Sequence, residues 1–266
     1  MKKANFVEHV EGLGDVYVVY DLFDNQVQAL KDAGIEVPES VRDASYVRLH
    51  GKSQEYTRTC HAPICAKDSP VIIARVSPAI GKPEMLKAMV NAHIVNQYPI
   101  LDSDKSIYRE WLQIAEQDKG LRPEKRRAII LPQRVDYRIH RDSDEAEFFW
   151  QDTRKEYFKE KVNGDSIQVW QIPIDVVDSI NGTIVNFVGF DWPVDGSGLS
   201  FRGRCLGCGG GAFGVLKKTS EAGLQKPLQV FLYTSEHLNV LSEALHKEGI
   251  IGDLEKRIVE SVKRGQ

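Results

Sequence analysis

The chain has 266 residues, enough for one large or two smaller domains, with a formal net charge of -3 from 35 basic and 38 acidic residues. Such a near balance exerts no global pull toward DNA or an anionic membrane. A hydrophobic fraction of 42% and a charged fraction of 27% exclude a disordered chain, and no apolar run is long enough to span a bilayer.

From the N-terminus, the lysines at 2 and 3 precede no apolar stretch before Glu8 and Glu11, so no secretory signal is expected and the address reads as cytoplasm, or host cytoplasm for a viral protein. Asp15–Tyr20 is β-branched and aromatic and predicts a strand; Phe23–Ala33 predicts a helix stopped by Gly34. Tyr46–His50 reads as a second strand, followed by a polar stretch in which Pro63 predicts a turn. Val71–Val76 predicts a strand, and Lys82–Tyr98 and Asp102–Asp118 predict helices. Arg126–Leu131 and Gln133–His140 read as strands, and Asp144–Lys161 as one amphipathic helix.

In the second half, Ser166–Ile172, Thr183–Phe190, Leu199–Leu206 and Leu228–Tyr233 predict strands, with Asn181-Gly182 and Asp195-Gly196 as turns. Ser235 caps a helix over Glu236–Lys247, and a last helix runs from Asp253 to about Lys263. Helices and strands alternate without a β-α-β rhythm. The expected class is α+β: a mixed, largely antiparallel sheet with flanking helices and a C-terminal helical pair. The chain reads as a single domain over 1–266, with a soft boundary near 163–164.

All four cysteines fall in two tight pairs, Cys60/Cys65 and Cys205/Cys208. A C-x2-C turn brings two thiolates to one point, and the glycine after Cys208 lets amides turn toward the sulfurs. The C-x4-C pair supplies the other two ligands, with His61 as a substitute. The expectation is a four-cysteine metal site, zinc first and an iron–sulfur cluster second. Buried apolar cysteines, or a redox pair at Cys205/Cys208, are the competing readings.

The glycines after Cys208 also match G-x-G-x-x-A over Gly207, Gly209 and Ala212, a phosphate-cradling pattern if Phe213–Ala222 forms the next helix. Gly209 and Gly210 are then candidate anion ligands. Gln133–Arg141 alternates, with Arg134 and Arg138 on one face, while Arg202 and Arg204 flank Cys205. Together they predict a basic surface for an anionic ligand or nucleic acid. Asp142, Asp144, Glu145 and Glu147 could neutralise it. Catalytic candidates are His50, read at a strand end, and Asp191 and Asp195 around Trp192-Pro193; Asp175 and Asp178 precede them. Three functions follow: a metal-pinned protein presenting that basic surface, an enzyme acting on a phosphate-bearing small molecule through the glycine loop, and a non-catalytic viral or mobile-element assembly protein.

Overall fold

The computed structural model describes residues 6–11, 13–20, 23–35, 39–51, 57–94, 97–162, 164–190, 198–202 and 211–215. The chain divides into two compact units, residues 1–217 and 218–266, and every described residue belongs to the first. The expected boundary near 163–164 falls inside that unit; the strand at Leu228–Tyr233 and the two C-terminal helices lie outside the described residues.

The fold is α+β, built on two sheets. β1 (Phe6–Val10), β2 (Gly14–Tyr20), β3 (Thr57–Arg58), β8 (Tyr137–His140), β9 (Ser166–Trp170), β11 (Gly189–Phe190), β12 (Leu199–Ser200) and β13 (Gly211–Val215) form an eight-stranded sheet in the order β1-β2-β13-β3-β11-β12-β9-β8. Its pairs are antiparallel except β12–β9 and β13–β3. β4 (Ala62–Ala66), β5 (Ile72–Ala74), β6 (Ile100–Asp102), β7 (Ala128–Ile130) and β10 (Thr183–Val185) form a second, antiparallel sheet in the order β6-β10-β4-β5-β7.

The five-stranded sheet is covered on both faces, so its central strands are buried at every residue and read as continuous apolar runs rather than alternating ones. Alternation still sorts their side chains. Ala62, Ile64, Ile72 and Ala74 face a core with helices α1 (Phe23–Asp32), α3 (Pro83–Ile94) and α4 (Ser106–Asp118). Cys65, Ile73 and Ile129 face the other core, with Val41 and Ala44 of α2 (Val41–His50), Phe148–Trp150 of α5 (Asp144–Trp150) and Tyr157 of α6 (Arg154–Tyr157).

Several local expectations are corrected. Tyr46–His50 is the end of α2, not a strand. Ser40 and Asp43 close a capping box at its start, and the buried Val41, Ala44, Ser45, Val47 and Arg48 follow helical spacing. Pro63 lies inside β4, opposite Ile73, rather than in a turn. Thr183–Phe190 is two strands that serve different sheets. The helix expected over Asp144–Lys161 breaks at Gln151, whose φ of 49° and ψ of -124° no helix accommodates. Residues 211–215, read partly as the start of a helix, form β13 between β2 and β3. Gly182, at φ 135°, is required where it stands: a Cβ there would lie 2.2 Å from the Asp102 carbonyl oxygen.

Candidate functional site

The four-cysteine site is overturned. Among the described residues no three His, Cys, Asp or Glu side chains come together to hold a metal ion. Cys65 points into the core beside Ile73 and Ile184. Cys60, ahead of β4, donates its thiol to the Arg75 carbonyl at 3.2 Å. Burial pushes the Cys65 thiol up to about 12 and raises that of Cys60 further, so neither supplies a thiolate at neutral pH. Cys205 and Cys208 lie outside the described residues, as do Arg204, Gly209, Gly210, Asp191 and Asp195. The phosphate-loop expectation fails where its helix was to begin, because Ala212 and residues 213–215 lie within β13 rather than at a helix N-terminus.

His61 is no ligand. It is fully buried, 5.7 Å from the Phe148 ring and 5.3 Å from the Phe149 ring, and neither ring nitrogen reaches a hydrogen-bond partner. Burial, reinforced by the Arg75 charge, pulls its imidazole down to about 3. His50 ends α2 against the Tyr46 ring at 4.5 Å, with Glu156 at 3.8 Å.

The arginines of the expected basic surface are engaged internally. Arg134 donates to Asp178, and Arg202 to Asp136 and to the Gln171 carbonyl. Arg138 holds the Ser166 hydroxyl and carbonyl, each at 2.8 Å.

A cleft of about 740 Å³ lies elsewhere in the fold, lined by Ser40, Arg42, Asp43, Glu124, Glu147, Gln151, Asp152, Arg154 and Lys155. One wall is the first turn of α2. The other is the broken helical segment from Glu147 to Lys155, and the 3₁₀ turn at Pro123–Lys125 supplies Glu124. Arg42 spans the two walls. Its Nε and Nη2 hold both oxygens of Asp152 at 2.8 and 2.9 Å, and its Nη1 holds Asp43 at 2.9 Å. These contacts raise the pKa of Arg42, the Asp152 bond most of all, and depress that of Asp152. Arg154 pairs with Glu147 at 3.3 Å.

Two charges face the cleft with capacity to spare. Glu124 sets one carboxylate oxygen 3.1 Å from Arg122, while its buried Oε2 has no hydrogen-bond partner. A bond to its own backbone N–H holds the Glu124 carboxyl below the usual carboxylate range, so it is charged at neutral pH. Lys155 makes no ion pair among the described residues. Gln151, also in the lining, is one of three non-glycine residues with positive φ among those described. Strained backbone of this kind costs about 1–3 kcal/mol and clusters at binding and catalytic sites.

Sequence reasoning did not find this cleft, because its residues come from three segments separated by as many as 110 positions. Each segment, taken alone, resembles an ordinary solvated charge run. The Ser40–Asp43 capping box was the one local signal, and it announces a helix start rather than a site.

No protein-family model matches the chain, and no curated protein matches it. A solved structure from work on the accommodation of massive sequence variation in Nanoarchaeota by the C-type lectin fold aligns with 80% of this chain and 97% of its own, at 9% identity and a TM-score of 0.46.

Proposed function

We propose that the protein is a binding protein for a small zwitterionic solute, of the amino-acid or short-peptide kind, held in the charged cleft. The observation that carries the reading is the pairing of an unmet buried carboxylate oxygen on Glu124 with an uncommitted ammonium on Lys155 around one cavity of about 740 Å³. A ligand ammonium on Glu124 and a ligand carboxylate on Lys155 would each gain a charge-assisted hydrogen bond. The Arg42 clamp holds the two walls together before a ligand arrives, which lowers the cost of ordering the site. Binding is favoured over covalent catalysis because the described lining offers no cysteine or histidine. Its only hydroxyl, on Ser40, is taken by Asp43 at 2.9 Å. No described helix is long and apolar enough to cross a membrane, and the buried free thiols of Cys60 and Cys65 support a reducing, cytoplasmic setting.

Titration calorimetry of the full chain against glycine, arginine and a tripeptide tests this, with acetate and a simple amine as half-ligands. At least one zwitterion should bind more tightly than either half-ligand. Glu124→Gln should weaken it by about tenfold, the effect of one charged contact. The reading is lost if no zwitterion gives heat, or if Glu124→Gln and Lys155→Ala leave the affinity unchanged.

A further inference from the structure

A smaller cavity, of about 320 Å³, lies at the outer edge of the five-stranded sheet. It opens beside β7, which pairs with β5 alone, between the end of α4 and the first turn of α5. Ala115, Ala128, Ile129 and Ile130 make much of its lining apolar. Alternation along β7 sends Ala128 and Ile130 toward the core with α4 and Ile129 toward the core with α5, so the cavity draws its apolar surface from both. Ala115, Ala128 and Ile129 are buried in those cores and hold their places without a ligand. The volume is near the lower end of the usual range for small-molecule sites.

Four charged residues complete the lining, and three of them are committed. Arg126 ties the chain after α4 to the start of α5. Its Nε donates to the Leu121 carbonyl at 2.8 Å, its Nη2 to the Lys119 carbonyl at 3.2 Å and its Nη1 to Asp144 at 2.9 Å. Lys119 holds both oxygens of Glu116, at 2.9 and 3.2 Å. Glu145 is the fourth. It is half-buried and makes no hydrogen bond or ion pair among the described residues. The helix start does not need it as a cap, because Ser143 already accepts the Ala146 N–H at 3.2 Å. Its charge is felt by the buried Tyr137 hydroxyl, whose pKa rises first through burial and then through Glu145. A carboxylate with that reach is poorly screened by water, and an opposite charge beside it gains more than at an open surface.

One uncommitted carboxylate beside an apolar lining selects a cation whose remainder is hydrocarbon. An ammonium gains a charge-assisted hydrogen bond from Glu145, and an alkyl stem covers Ala115, Ala128 and Ile130. An anion meets the Glu145 charge with no free cation to offset it, and a calcium or magnesium ion finds one free carboxylate where it needs several oxygens. We propose that this cavity is a ligand site for a primary amine on a short apolar body, with Glu145 as the counter-ion. A free alkylamine and the lysine side chain of a peptide share that chemistry. The site has no lining residue in common with the cleft around Arg42, so it stands whether or not that cleft binds a zwitterion.

Titration calorimetry of the full chain with pentylamine tests the proposal, with ethylamine, pentanol and pentanoate as controls and Nα-acetyl-lysine methylamide as the lysine probe. Pentylamine should bind more tightly than ethylamine, by about fourfold for each methylene the lining covers. Pentanol and pentanoate, which lack the ammonium, should bind at least about tenfold more weakly. Glu145→Gln should weaken pentylamine by about tenfold, the effect of one charged contact, while Glu124→Gln, in the other cleft, should not change it. Glu145→Lys should reverse the preference, so that pentanoate binds and pentylamine does not, a gain that misfolding cannot produce. A lysine probe that binds at least as tightly as pentylamine assigns the site to a peptide side chain, and pentylamine binding alone assigns it to a free amine. The proposal is overturned if neither amine binds, or if pentanol matches pentylamine. It is equally overturned if Glu145→Gln leaves the affinity unchanged, or if Glu124→Gln lowers it as much, which would place the amine in the cleft around Arg42.

Discussion

His61 shows how far burial can move one side chain from the role its neighbours suggest. Beside Cys60 in sequence, it has the composition of a metal site. In the fold its ring packs against two phenylalanines, and its nitrogens meet no partner. An imidazole with an unfolded pKa near 6.5 that falls to about 3 on folding binds its proton first in the unfolded chain. Stability attributable to His61 is thus complete above about pH 6.5 and drains away as the pH falls toward 3. At about pH 5 the loss is about 2 kcal/mol, from 1.36 kcal/mol for each unit below 6.5. Urea unfolding of wild type and His61→Phe at about pH 7.5 and about pH 5 measures it. The variant keeps the aromatic packing and has nothing to protonate. Its stability should fall less on acidification by that amount, and parallel pH slopes for the two proteins would contradict the assignment. Arg48 carries the same lesson in reverse. It looks like a surface residue in sequence, yet it is fully buried, lying 3.9 Å over the Phe190 ring and donating to the Phe190 carbonyl at 2.7 Å. No local pattern announces a partner 142 positions away.

Elements whose signal is local were legible, and those whose identity depends on a distant partner were not. β2, α1 and α3 follow from β-branched runs, a glycine stop and helical spacing, and the structure has them within a few residues of the expected limits. Tyr46–His50 misled because Tyr46 and Val47 favour strands, while the capping box that makes them helical begins six residues earlier, at Ser40. Thr183–Phe190 misled because nothing along the sequence marks where a chain leaves one sheet for another. Gln151 is the most consequential of these breaks. It divides what reads as one long helix, and it brings Asp152, Arg154 and Lys155 onto the cleft wall. A glycine would accept that backbone without strain. Gln151→Gly should therefore raise stability by about 1 kcal/mol, the low end of the cost of such a conformation, as read by the midpoint of thermal unfolding. If the side chain had a compensating structural role, the variant would instead melt lower. A variant that is more stable but binds the cleft ligand less well would show that the strain is tolerated for the site.

At the scale of the molecule, the class was readable from the mixture of elements, but the second sheet was not. Its strands are three to five residues long and come from four parts of the chain. They form one layer only because both faces are covered. That layer sits between the two main hydrophobic cores, and Ile72 and Ile73, neighbours in β5 and both fully buried, belong to different ones. A shared sheet should make the cores melt together, since neither can lose its packing without stripping a face from the same five strands. Two tryptophans give separate views: Trp150 lies inside one core, and Trp111 packs at the border of the other. Ile72→Ala and Ile73→Ala should each cost about 2–5 kcal/mol, the range for truncating a buried isoleucine. Each should also move the fluorescence transitions of both tryptophans together, as a single cooperative unit requires. Single-tryptophan variants, with the remaining tryptophans replaced by phenylalanine, would resolve the two signals during urea unfolding. Coincident midpoints that shift together under either isoleucine change identify the five-stranded sheet as the element that makes residues 1–217 cooperative. A shift of the Trp111 transition alone under Ile72→Ala would mean that the cores unfold independently, and that the sheet between them divides the unit rather than joins it.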